Sequence, residues 1–590
     1  MGNSLVRLIL LAAAFFVPAG ISVLLWNKLL HHDRTPDRRD LLVEYLVFFL
    51  LVHLLDVYVL TWRTGIVETV LSSSFRDAAF AAGWLLQSSL LAVALPVAGR
   101  LLEPLWNRNK SKTGDRYGWL LYLLAVVLFL LNFINIFNNN FWGDEAYTIR
   151  LAKMTAGDML AATAGDVHPP FFYFVEMGLY RLFGSHGWVF RLASIIPYGL
   201  ELVFVLRVVR KQFGDLPAML MVLFSSVLQS SVMYNVEARM YAWASLFVLL
   251  AYDAFYCLLR EPDQLRYWVW FVLASLGAAY THYYALMMVA FFYLALIIDA
   301  ARKRLPWRKV LGVCLMTVAG YLPWLVTMLA TFFRTSKSFW MTEIPSFVQG
   351  LVYFFKARSD LYSFSMTFAA FVVILGVLLW GWNGKDAEPV QNEPSSSVER
   401  EWFIWGLVMS LGIIGIGELI SHLIRPAYIV RYSYPASPVI WLLFGVSLSK
   451  LNSGRSLCAA VAVSTLLVCV PQMVNTYEKR RQADELCASI AEYVRNTIGE
   501  NDLMVTDVRH LDWTILDYYV PGVDHVYVDH VPEETDLSGY AGYWLIWGSD
   551  LSEDDTEALK EEGYDATEMF HNGNLGTLGV HIYQLIPENE

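Results

Sequence analysis

Two adjacent carboxylates, Asp144 and Glu145, stand in the polar island Asn138-Asn139-Asn140-Phe141-Trp142-Gly143-Asp144-Glu145-Ala146-Tyr147, directly after a long apolar run. Asp166 and His168-Pro169-Pro170 follow in the same loop. Further on come Tyr234-Asn235-Val236-Glu237-Ala238-Arg239-Met240-Tyr241, then His282-Tyr283-Tyr284, then Arg425-Pro426-Ala427-Tyr428-Ile429-Val430-Arg431-Tyr432-Ser433-Tyr434-Pro435. Carboxylates and arginines suit a displacement at a carbon bearing a phosphate. A carboxylate removes the proton of an attacking hydroxyl, and arginine neutralises the charge that builds on the departing phosphate. Asp144 and Glu145 are therefore the candidate catalytic residues. Asp166, His168, Glu237, Arg239, Tyr241, His282, Arg431 and Tyr432 are the candidate substrate-binding residues.

Each group has a plainer alternative. Asp144 and Glu145 could simply end a helix in headgroup water, and Glu237 with Arg239 could pair and snorkel to the interface. His168 alone reads as a structural hydrogen-bonding residue. His168 with the carboxylates could hold a divalent metal, although no tight ligand spacing supports such a site. What weighs against the plain readings is how scarce charge is in the apolar part of the chain. An ionised group at mid-span costs about 2.5–3.5 kcal/mol on insertion scales, so those present tend to face a cavity or a partner.

The elements that must position these residues are membrane helices. Of the 590 residues, 56% are hydrophobic and only 16% charged, with a mean hydropathy of +0.44. That composition excludes an ordinary soluble domain. Apolar runs long enough to cross a bilayer recur at 4–26, 42–62, 78–98, 118–138, 188–208, 216–233, 238–258, 267–282, 284–300, 308–330, 364–382, 402–423, 435–449 and 456–474, which predicts about fourteen helices. The first is expected to be a retained span rather than a cleaved signal, because no small-residue cleavage site follows it.

Basic residues in short loops give the orientation. Arg100, Arg108, Lys110, Lys112 and Arg116, then Arg207, Arg210 and Lys211, then Arg302, Lys303, Arg304, Arg308 and Lys309 fall on one side by helix counting. That side is read as cytoplasmic, and it puts 139–187, 234–237, 331–363 and 424–434 together outside. The segment 168–184, with Pro169, Pro170, Glu176 and Arg181, is expected to lie at the outer interface rather than to cross. A second interfacial helix is expected over 146–162, and a flexible cytoplasmic linker over 384–401.

After residue 475 the pattern alternates. An amphipathic helix is predicted at 476–498, with strands at 503–508, 526–528, 543–547 and 580–585 and helices at 510–519 and 552–563. This is a small α/β domain with a partly parallel sheet, acidic and expected outside. The division is 1–117 for extra N-terminal spans, 118–474 for the catalytic membrane domain with its outer loop 139–187, and 475–590 for the soluble domain. Of the five cysteines, Cys257, Cys314, Cys458 and Cys469 lie in apolar runs and only Cys487 in the soluble part, so no disulfide framework is expected. The net charge of -11 gives no sign of a nucleic-acid partner.

With the site facing a bilayer, the chemistry narrows to a sugar joined to a lipid phosphate. The lipid phosphate is a good leaving group that stays in the membrane, so no nucleotide-binding fold is needed, and no phosphate-cradling glycine loop is seen in the soluble parts. The Asp144-Glu145 pair, His168-Pro169-Pro170, Glu237-Ala238-Arg239 and Arg431-Tyr432-x-x-Pro435 resemble the protein O-mannosyltransferase and aminoarabinose-transferase superfamily over 118–450. The resemblance implies a GT-C fold, a polyprenyl-phosphate-sugar donor, inversion at the anomeric carbon and no nucleotide cofactor. A divalent metal is neither implied nor excluded. It also implies that Asp144 is the base or orients the acceptor, that Glu145 and Asp166 position substrate, and that Arg239 and Arg431 bind the lipid phosphate. Three extra spans before the loop and the acidic domain at the end depart from the pattern. No MIR-type repeat is visible, which favours a prokaryotic envelope role with a glycan, lipid or protein acceptor. The alternative is a transporter or flippase of lipid-linked sugars, whose mark would be polar residues or broken helices at mid-span in two related halves.

Overall fold

The computed structural model describes residues 2–30, 118–138, 141–166, 168–334, 344–356, 396–424, 426–450, 454–499 and 501–506, parts of 41–52 and 85–97, and, in the C-terminal part, 522–527, 542–547, 551–561, 563–572 and 580–587 with single residues 518, 520 and 540. The membrane part begins with α1 (Gly2–Leu30) and α2 (Gly118–Ile134). Three shorter helices follow, α3 (Gly143–Lys153), α4 (Ala156–Gly165) and α5 (Phe171–Phe183). Then come α6 (Gly187–Phe204), α7 (Asp215–Val227), α8 (Gln229–Tyr234), α9 (Tyr241–Arg260), α10 (Leu265–Thr281), α11 (Tyr283–Ala301) and α12 (Trp307–Arg334). The bundle ends with α13 (Phe347–Tyr353), α14 (Ser396–Leu423), α15 (Ser437–Ser449) and the 44-residue α16 (Gly454–Thr497).

Among the described residues, 6 helices are long and apolar enough to cross a membrane: Gly118–Phe137, Gly187–Phe213, Tyr241–Arg260, Tyr283–Ala301, Trp307–Thr331 and Val398–Leu423. The expected spans 42–62 and 364–382 and the linker 384–401 lie wholly or largely outside the described residues, so the total of about fourteen is not reached here. Helices at the rim turn apolar side chains outward, as lipid contact requires. On α12 these are Leu311, Leu315, Val318, Leu322 and Val326, at three- and four-residue spacing along one face. At the centre, α15 is buried from Ser437 to Leu448 and packs on α7.

Two expected helices are broken. The run 216–233 divides at Leu228, whose extended backbone (ψ 148°) separates α7 from α8. The single helix expected over 146–162 is two. Thr155 interrupts it, and its hydroxyl accepts the Asp158 backbone N–H as the N-cap of α4. Nor is α3 exposed at an interface: Glu145, Ala146, Thr148, Ile149, Leu151 and Ala152 are buried, and it packs on α5. At 13 residues, α5 spans about 20 Å and is too short to cross. Its face with Phe172, Tyr173, Glu176 and Met177 is buried, while Phe174, Leu182 and Phe183 are exposed.

The C-terminal sheet has the order β2-β1-β3-β5-β4, from β1 (Asp502–Thr506), β2 (Asp524–Tyr527), β3 (Gly542–Trp547), β4 (Tyr564–Asn572) and β5 (Val580–Pro587). β1 pairs parallel with β2 and β3, and β5 runs antiparallel between β3 and β4. The partly parallel sheet agrees with the sequence reading, which missed β4 and placed nothing there. Period-two alternation decides which side each residue faces. Met504, Trp544, Ile546 and Ile582 cover Cys487, Ile490, Ala491 and Val494 of the long helix and Ile498 just beyond its end. Leu503, Val505, Leu545, Tyr583 and Leu585 face Leu559 on the short helix α17 (Glu553–Glu561). The long helix α16 therefore runs unbroken from the apolar stretch 456–474 into the core of this domain. None of the five cysteines is in a disulfide.

Candidate active site

The acidic pair begins a helix rather than ending one. Asp144 and Glu145 lie in the first turn of α3, where the helix dipole favours negative charge. Glu145 turns back so that its Oε2 accepts the Trp142 backbone N–H at 3.3 Å. Its Oε1 accepts the Ala238 N–H at 2.8 Å and pairs with Arg191 Nη1 at 3.0 Å. Glu145 is thus a buried hub joining α3, α6 and the 235–240 turn.

Arg191 was not singled out in the sequence. It stands one turn inside α6, 1% exposed, and donates to the carbonyls of Asn138 (2.7 Å) and Val236 (3.0 Å). Its guanidinium also lies 4.6 Å from the centre of the Phe141 ring. The 235–240 turn is held further by Ser194, whose hydroxyl bonds to the carbonyls of Glu237 and Arg239.

Asp144 is oriented by two other arginines. Arg239 donates through Nη1 to the Asp144 carbonyl at 3.1 Å and to Thr148 Oγ1 at 3.2 Å, and its Nη2 lies 3.9 Å from Asp144 Oδ2. Arg431 Nη2 reaches the same oxygen at 3.3 Å, with its guanidinium 5.3 Å from the Trp142 ring centre. The Asp144 side chain is 30% exposed, whereas that of Arg239 is 3% exposed. One carboxylate oxygen therefore stands at an open mouth between two fixed cations. Arg431 is carried on the 3-10 stretch Val430–Ala436, behind which Tyr428 packs so tightly on α14 that a Cβ at Gly417 would come within 2.7 Å of its ring.

Beside this pair opens a cavity of about 310 Å³ lined by Trp142, Glu145, Met233, Tyr234, Glu237, Arg431 and Arg480. Arg480 is the second functional candidate the sequence did not single out. It comes from α16 beyond its apolar stretch, and its Nη1 is buried with no hydrogen-bond partner. Glu237 Oε1 is likewise buried and unpartnered. Burial first, and the Glu145 charge second, push the Glu237 carboxyl up to about 7, against the pull of Arg431 and Arg239. Tyr518 also reaches this loop, its ring centre 4.9 Å from that of Phe141 and 5.6 Å from Lys153 Nζ.

The remaining predicted residues form a cluster of their own. His168 and Asp166 approach to 3.5 Å, and the Tyr173 hydroxyl donates to Asp166 at 3.4 Å. Burial holds the His168 imidazole below its ordinary range, while Asp166 pulls the other way. The His168 ring centre lies 5.8 Å from that of His282, which stands 5.1 Å from Tyr432 and 5.7 Å from Tyr241. His282 Nδ1 accepts the Tyr284 N–H and caps α11. Asp166 with His168 is the pair in this cluster that could share a divalent ion, and among the described residues no third His, Cys or carboxylate donor converges on it. Arg425 lies outside the described residues.

The architecture matches known structures. ArnT from Cupriavidus metallidurans in the apo state superposes with a TM-score of 0.55 at 14% identity, covering 79% of this chain and 98% of that one. The chain has a GT-C fold. The same ArnT bound to undecaprenyl phosphate superposes with a TM-score of 0.51 at 15% identity, covering 80% and 98%. The family model described as dolichyl-phosphate-mannose-protein mannosyltransferase matches residues 167–325. That match takes in His168, Glu237, Arg239, Tyr241 and His282 of the GT-C bundle and stops short of Asp144, Glu145 and Arg431 at its two ends. No curated protein matches the chain in sequence.

Proposed function

We propose that this chain is a membrane glycosyltransferase that moves a sugar from a polyprenyl-phosphate donor to an extracytoplasmic acceptor, with inversion at the anomeric carbon. The observation that carries the reading is the partly exposed Asp144 carboxylate, one oxygen of which lies between Arg431 and Arg239. An undecaprenyl phosphate bound in the similar ArnT structure supports a lipid-phosphate donor. The acceptor hydroxyl loses its proton to Asp144 as its oxygen attacks the anomeric carbon. The bond from that carbon to the phosphate oxygen breaks, and the phosphate leaves with one more negative charge. Arg239 and Arg431 face that charge with donors already fixed in place. Glu145 acts as a positioning residue, since both its oxygens are occupied by Trp142, Ala238 and Arg191. Asp166, His168, Tyr241, His282 and Tyr432 line the side from which the sugar or acceptor enters. The count of basic loops supports an orientation with this site and the C-terminal domain outside the cell membrane.

Arg480 extends the phosphate site. Its unpartnered Nη1 shares the cavity with Arg431, so Arg480→Ala is expected to raise the donor KM by roughly ten- to a hundredfold while kcat changes less, as for loss of one charge-assisted hydrogen bond of about 1.5–3 kcal/mol. Initial rates of the purified full chain over a donor titration check this. An unchanged KM would remove Arg480 from the site.

Glu237 gives the reaction a pH signature. Its folded value near 7 lies above the ordinary carboxyl range, so the neutral form is favoured below that pH and a negative charge enters the cavity above it. The stability it contributes is likewise full at low pH and lost as pH rises through about 7. The donor is a phosphodiester and does not titrate there. Donor KM is therefore expected to rise as pH passes 7, and Glu237→Gln is expected to flatten that rise. A wild-type KM flat from pH 6 to 8 counts against the assignment.

A further inference from the structure

At the edge of the C-terminal sheet, three metal-type ligands converge. His571 Nδ1 and His581 Nδ1 are 3.1 Å apart, His581 Nδ1 is 2.8 Å from Glu568 Oε1, and that oxygen is 3.9 Å from His571 Nδ1. We propose that Glu568, His571 and His581 form a binding site for a first-row divalent cation of the zinc class. Tetrahedral zinc with bonds of about 2.0–2.1 Å sets its ligand atoms about 3.3 Å apart, and the three separations straddle that value.

The backbone is shaped to bring these ligands together. Residues three apart on a flat strand point to opposite faces, so Glu568 and His571 would not ordinarily meet. A bulge in β4 changes this. Glu568 pairs with Tyr583 and Phe570 with Ile582, leaving Met569 as the extra residue, and His571 falls opposite His581. Tyr583 and His581 are two apart on β5 and share a face, so the bulge turns Glu568 and His571 to that same face. His581 is buried and its ring lies nearly parallel to that of Tyr583, at 10° and 6.2 Å between centres. Tyr583 is fixed in turn by the Leu551 N–H, which donates to its hydroxyl at 3.3 Å. One ligand is thus held rigidly, and two stand at the rim.

The chemistry of the set selects the ion. Two imidazole nitrogens and one carboxylate suit zinc, cobalt(II) or nickel(II), whereas calcium and magnesium favour all-oxygen sites. Both imidazoles bind as neutral ligands, so loading releases any proton held between them. The side chains of Glu568 and His571 are 43% and 54% exposed, which leaves an open side for water or a further ligand, as in zinc sites with three protein ligands.

Cobalt(II) titration of the full chain in detergent, with any affinity tag removed, tests this apart from sugar transfer. One equivalent is expected to bind and give the intense visible bands of a low-symmetry, four- or five-coordinate nitrogen–oxygen site, and zinc should displace it. His571→Ala is expected to weaken binding on the order of 100-fold and remove those bands. Glu568→Gln provides a second variant should His571→Ala fail to fold, with unchanged melting in chelator as the control. No bands in the wild type, or equal binding by a folded variant, overturns the site.

Discussion

Asp144→Asn is expected to lower kcat for sugar transfer by roughly 10²–10⁴-fold, the usual worth of a positioned general base. The substitution keeps the size and the backbone of the residue, and the contact Arg239 makes at 3.1 Å is to the Asp144 carbonyl, which asparagine retains. What it loses is a carboxylate able to take the acceptor proton. The split between kcat and KM separates this role from a merely structural one. Asp144 now opposes the charges of Arg431 and Arg239, so removing its charge frees both for the lipid phosphate, and the donor KM should stay level or fall. If the carboxylate only held the arginines in place, KM would rise and kcat would be spared. Rates of purified protein with a panel of polyprenyl-phosphate sugars, each variant's melting behaviour recorded alongside, decide between the two. Full activity in Asp144→Asn would sink the catalytic assignment.

Much of this site was legible because membrane proteins advertise their charges. Asp144, Glu237, Arg239 and Arg431 each stand at the end of an apolar run, and one stretch after another falls on the same side by counting basic loops. Their convergence follows from that shared end. The resemblance then supplied roles that spacing alone could not, and the GT-C fold agrees with it.

Arg480 could not be seen in this way. It lies among Glu478, Lys479 and Arg481, where it reads as one more charge on a solvated helix face. Only the path of α16 carries it to the cavity. Strand β4 was missed because its polar run Tyr564-Asp565-Ala566-Thr567-Glu568-Met569-Phe570-His571-Asn572 contains the bulge, which breaks the period that marks a strand. The break between α3 and α4 did leave a sign, since Thr155-x-x-Asp158 is an N-cap pattern. Apolar residues on either side concealed it. Arg191 also left one, as a charge near the start of an apolar run, but nothing in sequence names its partner.

That partner makes Arg191→Ala the most damaging single change expected for the fold around the site. Removing one member of a buried ion pair costs about 3–5 kcal/mol, because the other charge is left uncompensated. Here the orphan would be Glu145, 2% exposed and left with only the Trp142 and Ala238 N–H groups among its hydrogen bonds described above. The same substitution strips donors from the carbonyls of Asn138 and Val236. These lie on the two stretches that carry Asp144 and Arg239, so transfer should fall along with stability. The charge account predicts a specific rescue. Arg191→Met combined with Glu145→Gln removes both charges of this pair, and the double variant should be more stable than Arg191→Met alone. Arg191→Lys keeps the charge but not the planar fork that reaches two carbonyls and a carboxylate, so it should fall between wild type and alanine. Thermal unfolding of the detergent-purified full chain ranks the four variants against the wild type. Should Glu145→Gln deepen the loss instead, the hub would be held by hydrogen-bond geometry rather than by charge.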